Sequence, residues 1–140
     1  MIILDTNIVS EFMTSQPATP VLSWLNAQDS AALYMTVISI AEISFGIRAL
    51  PEGRRQKLLE ERFEQFIHRA FAERILPFDE TAARLYGDVK ASRRTQGRPL
   101  SDFDGQIAAI GLTHGFAVAT RNVNDFEQCG LELINPFEDG

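Results

Sequence analysis

Five short apolar stretches alternate along this chain with longer segments of helical periodicity, and that alternation limits the fold more than any other feature. "MIIL" opens the chain, and "AALYMTV", "RILPF", "FAVAT" and "LELIN" follow; each reads as a short, largely buried strand. Between the first two, "PATPVLSWLNAQ" enters a helix through Pro20, with Val21, Leu22, Trp24 and Leu25 facing inward. After the second strand, Ile40, Ile43, Ile47 and Leu50 fall on one face of an amphipathic helix. A charged helix from Arg54 to Ala72 then turns Leu58, Phe63, Phe66 and Ile67 to the core. "DETAARLYGDVKASRR" is a helix capped by Asp79, and "SDFDGQIAAIGLTHG" a helix that starts near Ser101 and stops at Gly115. Strands alternating with helices build a mainly parallel sheet covered on both faces. The expected fold is α/β: a three-layer α/β/α sandwich.

Size and charge narrow the class of protein. A chain of 140 residues is expected to form one domain over 1–140, and it can bury roughly 68% of its unfolded surface. The single cysteine, Cys129, excludes an internal disulfide framework and a Cys-rich zinc site. "MIIL" meets Asp5 at once and has no basic flank, so it is not read as a secretory signal. The most apolar later stretch, "TVISIAEISFGI", is broken by Glu42 and too short to span a membrane. A soluble, cytoplasmic protein is expected. The 19 acidic and 13 basic residues give a net charge of -6, which argues against a simple electrostatic DNA binder. A nucleic-acid enzyme stays open, because divalent cations in an acidic site invert the local charge.

Four polar residues stand near the carboxyl ends of the strands, where α/β folds place their chemistry. Asp5 ends the first strand. Glu42 lies early in the amphipathic helix after the second strand as "SIAEI", Asp104 early in the helix before the fourth strand as "SDFDG", and Asn122 follows that strand as "ATRNVNDF". Each also has a structural reading. Asp5 or Thr6 could cap a helix, and both Ser39-Ile40-Ala41-Glu42 and Ser101-Asp102-Phe103-Asp104 have the form of a capping box. Asp79 is the control, an acid after a strand with a cap as its whole role. The combination favours chemistry. Glu42 sits among Ile40, Ala41, Ile43 and Phe45, and Asp104 beside "GQIAAIGL", a run that must pack closely. Three carboxylates in one crevice repel, and at least one has its pKa raised. A bound Mg²⁺ or Mn²⁺ relieves that conflict, since hard cations take oxygen ligands from one or two carboxylates and keep several waters.

Other chemistries lack their parts. His68 lies in the charged helix and His114 at a helix end, both expected to be solvated or near a helix terminus. There is no GxSxG elbow, Gly-rich phosphate loop or HExxH. A haloacid dehalogenase-type phosphotransferase needs a second acid two residues after the first, where this chain has Asn7.

The set "ILDTNIVSE", "ISIAEISFGI", "RILPFDETAA", "DGQIAA", "VATRNVNDF" and "INPF" resembles the PIN-domain nucleases, and within them the VapC toxins of bacterial toxin–antitoxin pairs, on the FitB-like branch. The resemblance runs over essentially the whole chain. It implies that Asp5, Glu42 and Asp104 bind the metal and that Thr6 and Thr120 support the site. The fourth acidic position falls on Asn122, a departure that bears on a second metal; Asp102 and Asp125 are the nearby acids that could compensate. The implied activity is Mg²⁺- or Mn²⁺-dependent endoribonuclease action, with in-line attack of water on a backbone phosphate leaving 5′-phosphate and 3′-hydroxyl ends. Metal lowers the pKa of bound water and stabilises developing charge on phosphate, so no His or Lys base is needed.

Grip on RNA would come from basic residues outside the acidic pocket. Lys90, Arg93, Arg94 and Arg98 precede the Asp104 helix, and Arg121 adjoins Asn122; the alternative is a solvated helix face. The family likeness implies a homodimer and a small cognate antitoxin carrying a DNA-binding part. Trp24, Phe45 and Phe66 are interface candidates for which core packing is the default. Two other readings stay open: a catalytically weak subunit acting mainly as partner of a DNA-binding antitoxin or repressor, and a DNA-directed flap or exonuclease of related fold. Asn122 keeps the first alive; the lack of an arch or clamp insertion argues against the second.

Overall fold

The strand-to-helix alternation produces a five-stranded sheet whose order, β3-β2-β1-β4-β5, leaves the first strand in the middle. The computed structural model describes residues 1–138. The strands are β1 (Ile2–Leu4), β2 (Leu33–Thr36), β3 (Ile75–Leu76), β4 (Ala117–Ala119) and β5 (Leu133–Ile134), and every neighbouring pair is parallel. The helices are α1 (Thr6–Phe12), α2 (Thr19–Asn26), α3 (Val37–Arg48), α4 (Arg54–Phe66), α5 (Glu80–Thr95), α6 (Asp102–His114) and α7 (Val123–Phe126).

Side chains alternate across the strands and feed two cores. Leu4, Leu33, Met35 and Ala119 point to one face, where α1 to α4 supply Ile8, Val9, Val21, Ile43, Ile47 and Phe63. Ile3 and Val118 point to the other, against Ala82, Val89, Ile107, Ile110 and Phe126. The result is the three-layer α/β/α sandwich that the pattern implied. The small residues of "GQIAAIG" let α6 approach closely: a Cβ added at Gly105 would lie 3.0 Å from the Tyr86 ring of α5.

Chain order matters most for function. The first three strands run outward from β1 on one side, and the chain then returns to place β4 on the other. The crevice at the carboxyl ends of β1 and β4 is therefore the topological switch point, where such sheets bind ligands.

Several local expectations are corrected. Leu22 is 36% exposed and Leu58 46% exposed, so neither faces the core. Phe45 is 76% exposed, against its default as a packing residue. Ser39 does not cap its helix: Thr36 accepts the Ser39 amide at 3.2 Å, and Ser39 is buried one turn in. The charged helix ends as α-helix at Phe66 and continues as a single π-helical turn over Ile67–Phe71. Before β2, Ser30–Ala32 forms a 3₁₀ turn capped by Asp29 rather than strand. Asp79 caps α5 through the Ala82 amide, as its sequence position suggested. Among the described residues no helix is long and apolar enough to cross a membrane.

Candidate active site

The end of β1 turns directly into α1, and Asp5 is the residue at that join. Its Oδ1 accepts the Thr6 amide at 2.8 Å, which caps α1, while its Oδ2 accepts the Thr120 hydroxyl at 2.9 Å. The capping reading and the site reading are therefore both realised, one on each oxygen. Asp5 is 4% exposed. Burial pushes its carboxyl up to about 6, and the charges of Asp104 and Glu42 act in the same direction.

Glu42 stands in the second turn of α3, held by side chains from the neighbouring helix. Thr6 Oγ1 donates to Glu42 Oε1 at 2.8 Å and shares a second hydrogen bond with Ser39 Oγ at 2.8 Å. Burial raises the Glu42 carboxyl, and Asp104 adds to the rise. Asp104 lies in the first turn of α6, whose cap Ser101 accepts the Asp104 amide at 3.3 Å. Its carboxyl is also raised, chiefly by burial and then by the charge of Asp125, against the pull of Arg93.

Thr120, fully buried at the end of β4, joins the two sides of the switch point. Besides donating to Asp5 it accepts the Asn122 amide at 3.0 Å and the Asn7 side-chain amide at 3.4 Å. Asn7 also accepts the Arg121 amide at 3.2 Å, so the first and fourth strand ends are stitched by three side chains. Around these groups lies a cleft of about 420 Å³, lined by Asp5, Thr6, Asn7, Ser10, Glu11, Thr14, Glu42, Asp104 and Asn122. Four of its lining residues are acidic and none is basic. Among the described residues no Lys or Arg lies within 4.0 Å of the Asp5, Glu42 or Asp104 carboxylates.

The donor set tests whether a cation fits. The carboxylates that line the cleft are hard oxygen donors, the ligand type that hard divalent cations take. Among the described residues no three acidic, His or Cys side chains converge into a ready cage. Asp5, Glu42 and Asp104 are the residues that would hold such an ion, and it would supply a polarised water and positive charge at the cleft. A closed three-ligand structural site is not what this cleft offers.

The remaining sequence candidates divide by location. Asp102 is outside the cleft, where its carboxylate takes Lys90 Nζ at 2.7 Å and the Tyr86 hydroxyl at 3.2 Å. Asp125 does not line the cleft either, although its charge is felt at Asp104. The expected basic track beside Asp104 is largely committed to the fold. Lys90 also donates to the Leu100 carbonyl, and Arg98 to Glu127 and the Asn124 carbonyl. Arg93 is 3% exposed and bonded to backbone carbonyls, which removes it from any surface track. Arg94 is exposed, and Arg121 is exposed with its guanidinium 4.5 Å over the Phe137 ring. His68 pairs with Glu64, and His114 sits beside Phe116 at the far end of α6; neither reaches the cleft.

Residues that sequence reasoning missed lie beside the acids. Glu11 lines the cleft while accepting the Ala18 amide. Through Thr6, Ser10, Thr14 and Glu42 the cleft opens into a groove of about 640 Å³ between α1, α3 and α4, with an apolar floor and with Arg55 and Arg62 on its wall. The seven-residue spacing of these arginines on an amphipathic helix was the available signal.

Comparison with known proteins agrees with this geometry. A PIN-domain family description matches residues 2–130. The chain is 44% identical over 138 residues to the VapC ribonuclease Y4jK of Sinorhizobium fredii, spanning 99% of each. It is 38% identical over 139 residues to the toxin FitB of Neisseria gonorrhoeae, spanning 99% of this chain and 100% of that one. Its fold superposes on the structure of FitAB bound to an IR36 DNA fragment with a TM-score of 0.93 at 37% identity, covering 100% of this chain and 98% of the other. The present chain belongs to the PIN-domain family, within the VapC group and on its FitB-like branch.

Proposed function

We propose that this chain is a metal-dependent endoribonuclease, the toxin of a type II toxin–antitoxin pair. The observation that carries the reading is a cleft lined by four acidic residues and, among the described residues, no basic one, built at the switch point of a parallel sheet. Relatives of the same length are named ribonucleases and toxins, one of them a tRNA(fMet)-specific endonuclease at 28% identity.

Asp5, Glu42 and Asp104 would hold Mg²⁺ or Mn²⁺, with Asn122 in the fourth position. When bound, the ion supplies a water of lowered pKa and stabilises charge on the attacked phosphate. The chain's residues supply the rest. Thr120 and the Thr6 amide hold the two Asp5 oxygens in fixed directions, and Thr6 holds Glu42. Burial excludes bulk water behind Asp5. Arg55 and Arg62, on the groove that continues the cleft, would hold backbone phosphates of the strand that runs away from the cut. Arg94 and Arg121 are the surviving members of the sequence-based track.

The partners are RNA as substrate, a small antitoxin with a DNA-binding part, and a second copy of the chain. The net charge of -6 suits a basic antitoxin, and FitB, a relative named a toxin, is seen in a FitAB complex bound to DNA. Val37, Ala41 and Phe45 form an exposed apolar stripe on α3 that suits a homodimer face.

Expression in a bacterial host tests the reading. Induction is expected to halt growth, the Asp104→Asn variant to restore it, and cellular RNA to acquire new 5′-phosphate ends before the halt. Accumulation of folded wild-type chain with unchanged growth and RNA would sink it and favour a catalytically weak binding subunit.

A further inference from the structure

The α7 segment is short, irregular and poorly closed by its own backbone. It begins at Asn122, whose side chain makes no capping bond, and it is followed by Gln128 in a left-handed conformation at φ 61°. The last carbonyls of any helix lack intrahelical partners. Here two arginines supply them from another part of the chain. Arg93, near the end of α5, donates from Nη1 to the carbonyls of Asp125 at 3.0 Å and Glu127 at 2.8 Å, and from Nε to the Arg98 carbonyl at 2.8 Å. Nη1 also lies 3.4 Å from Cys129 Sγ. Arg98 donates to the Asn124 carbonyl at 3.0 Å and meets the Glu127 carboxylate at 3.4 Å.

A guanidinium with so little exposure and, among the described residues, no carboxylate within 4.0 Å is an expensive way to fill space. A planar fork bonded to several carbonyls can serve as a fixed clamp, which an ammonium cannot reproduce. What the clamp holds is one end of a segment whose other end is in the active cleft. The Asn122 amide donates to Thr120 Oγ1 at 3.0 Å, and that same hydroxyl donates to Asp5 at 2.9 Å.

We propose that Arg93, assisted by Arg98, is a positioning residue: by capping the carboxyl end of α7 from α5 it fixes Asn122 and the Thr120 hydroxyl against Asp5. The inference rests on the nuclease reading for its catalytic consequence, but not for its structural one. Such a clamp explains why Asn122, with no capping bond from its side chain, can still stand at a defined place in the cleft. It also gives a role inside the site to a residue that never touches substrate.

Two measurements on the purified full chain separate the possibilities. The first is amide hydrogen exchange across residues 120–128 in wild type, Arg93→Lys and Arg98→Gln, which needs no activity. Protection in this segment is expected to fall at least tenfold in Arg93→Lys and by a smaller factor in Arg98→Gln, with β1 and α6 unchanged. Equal protection in all three proteins, or a loss spread evenly over the molecule, would overturn the proposal. Should Arg93→Lys fail to fold, Arg98→Gln carries the same test. The second is a kinetic cycle on RNA cleavage. Arg93→Lys is expected to lower kcat about tenfold with RNA KM changed less than twofold, and Asn122→Ala to cost much less in that background than in wild type. A merely structural arginine would give additive effects and an unchanged kcat per folded molecule, which also overturns it. A wild-type chain that cuts no RNA defeats the nuclease reading alone, because the exchange result still decides the clamp.

Discussion

Thr120 Oγ1 donates to Asp5 Oδ2 across 2.9 Å, and this bond joins the carboxyl ends of two strands that lie 115 residues apart in sequence. Both side chains are buried, and the hydroxyl opposes the upward push that burial exerts on the acid. A single β-branched residue thus shapes the first strand's acid and the fourth strand's loop together.

Thr120→Val removes that hydroxyl while keeping the shape. It leaves Asp5 Oδ2 without its donor and the Asn122 amide without its acceptor, at a cost of about 1–3 kcal/mol. The Asp5 carboxyl should rise further, so the acid limb of the pH–rate profile should move to higher pH while the melting temperature falls. A profile that stays in place would show that Thr120 does not set the ionisation of Asp5.

Asp5 also makes the metal-free protein pH-sensitive. Its folded pKa of about 6 exceeds the ordinary aspartate value of 3.8, so the folded state binds this proton more tightly than the unfolded chain. The stabilisation is complete below about pH 4 and is lost as pH rises through about 6, a swing on the order of 3 kcal/mol. In chelator, Asp5→Asn should therefore melt above wild type at about pH 7 and converge with it near pH 4. Adding Mn²⁺ should raise the wild-type melting temperature at about pH 7 and leave Asp5→Asn nearly unmoved. Thermal melts across that pH range check both signs.

Phe45 is the most exposed large apolar side chain among the described residues, and it lies on the same α3 face as Val37 and Ala41. Phe45→Lys is expected to shift the chain from dimer to monomer in sedimentation without loss of helical content. A dimer that persists unchanged would place the interface elsewhere.

Arg55 and Arg62 stand on the wall of the open groove that leads away from the acid cleft. Replacing either by Ala should raise the RNA KM several-fold, leave kcat within about twofold, and lower the salt slope of binding by about 0.7 for each phosphate no longer neutralised. Filter binding over a range of salt concentrations measures this directly.

How much of this was legible in the sequence follows from which interactions are local. The strands, the mainly parallel character of their sheet and the strand-end acids could be read because buried runs and helical periods are encoded within a few residues. The facing of α2 and α4 could not, since Leu22 and Leu58 lie on apolar stripes that no neighbouring element covers. The cap of α3 is ambiguous in sequence because Thr36 and Ser39 are chemically alike, and only the end of β2 at Thr36 decides between them. Composition groups Arg93 with its basic neighbours, although it continues the Ala82–Val89 stripe at helical spacing and so points inward. Its partners, the carbonyls of 125 and 127, carry no sequence signal at all. The same holds for Glu11, which reaches the cleft only because α1 lies along it.

Incubation of a total small-RNA pool with the purified chain, freed of any antitoxin, tests the nuclease assignment most directly. The arms are Mg²⁺ or Mn²⁺, chelator, and the Asp5→Asn variant. Discrete products with 5′-phosphate ends are expected, and they should disappear in chelator and in the variant. Intact RNA after exposure to folded, metal-supplied protein, or cutting that survives chelator, would contradict the assignment.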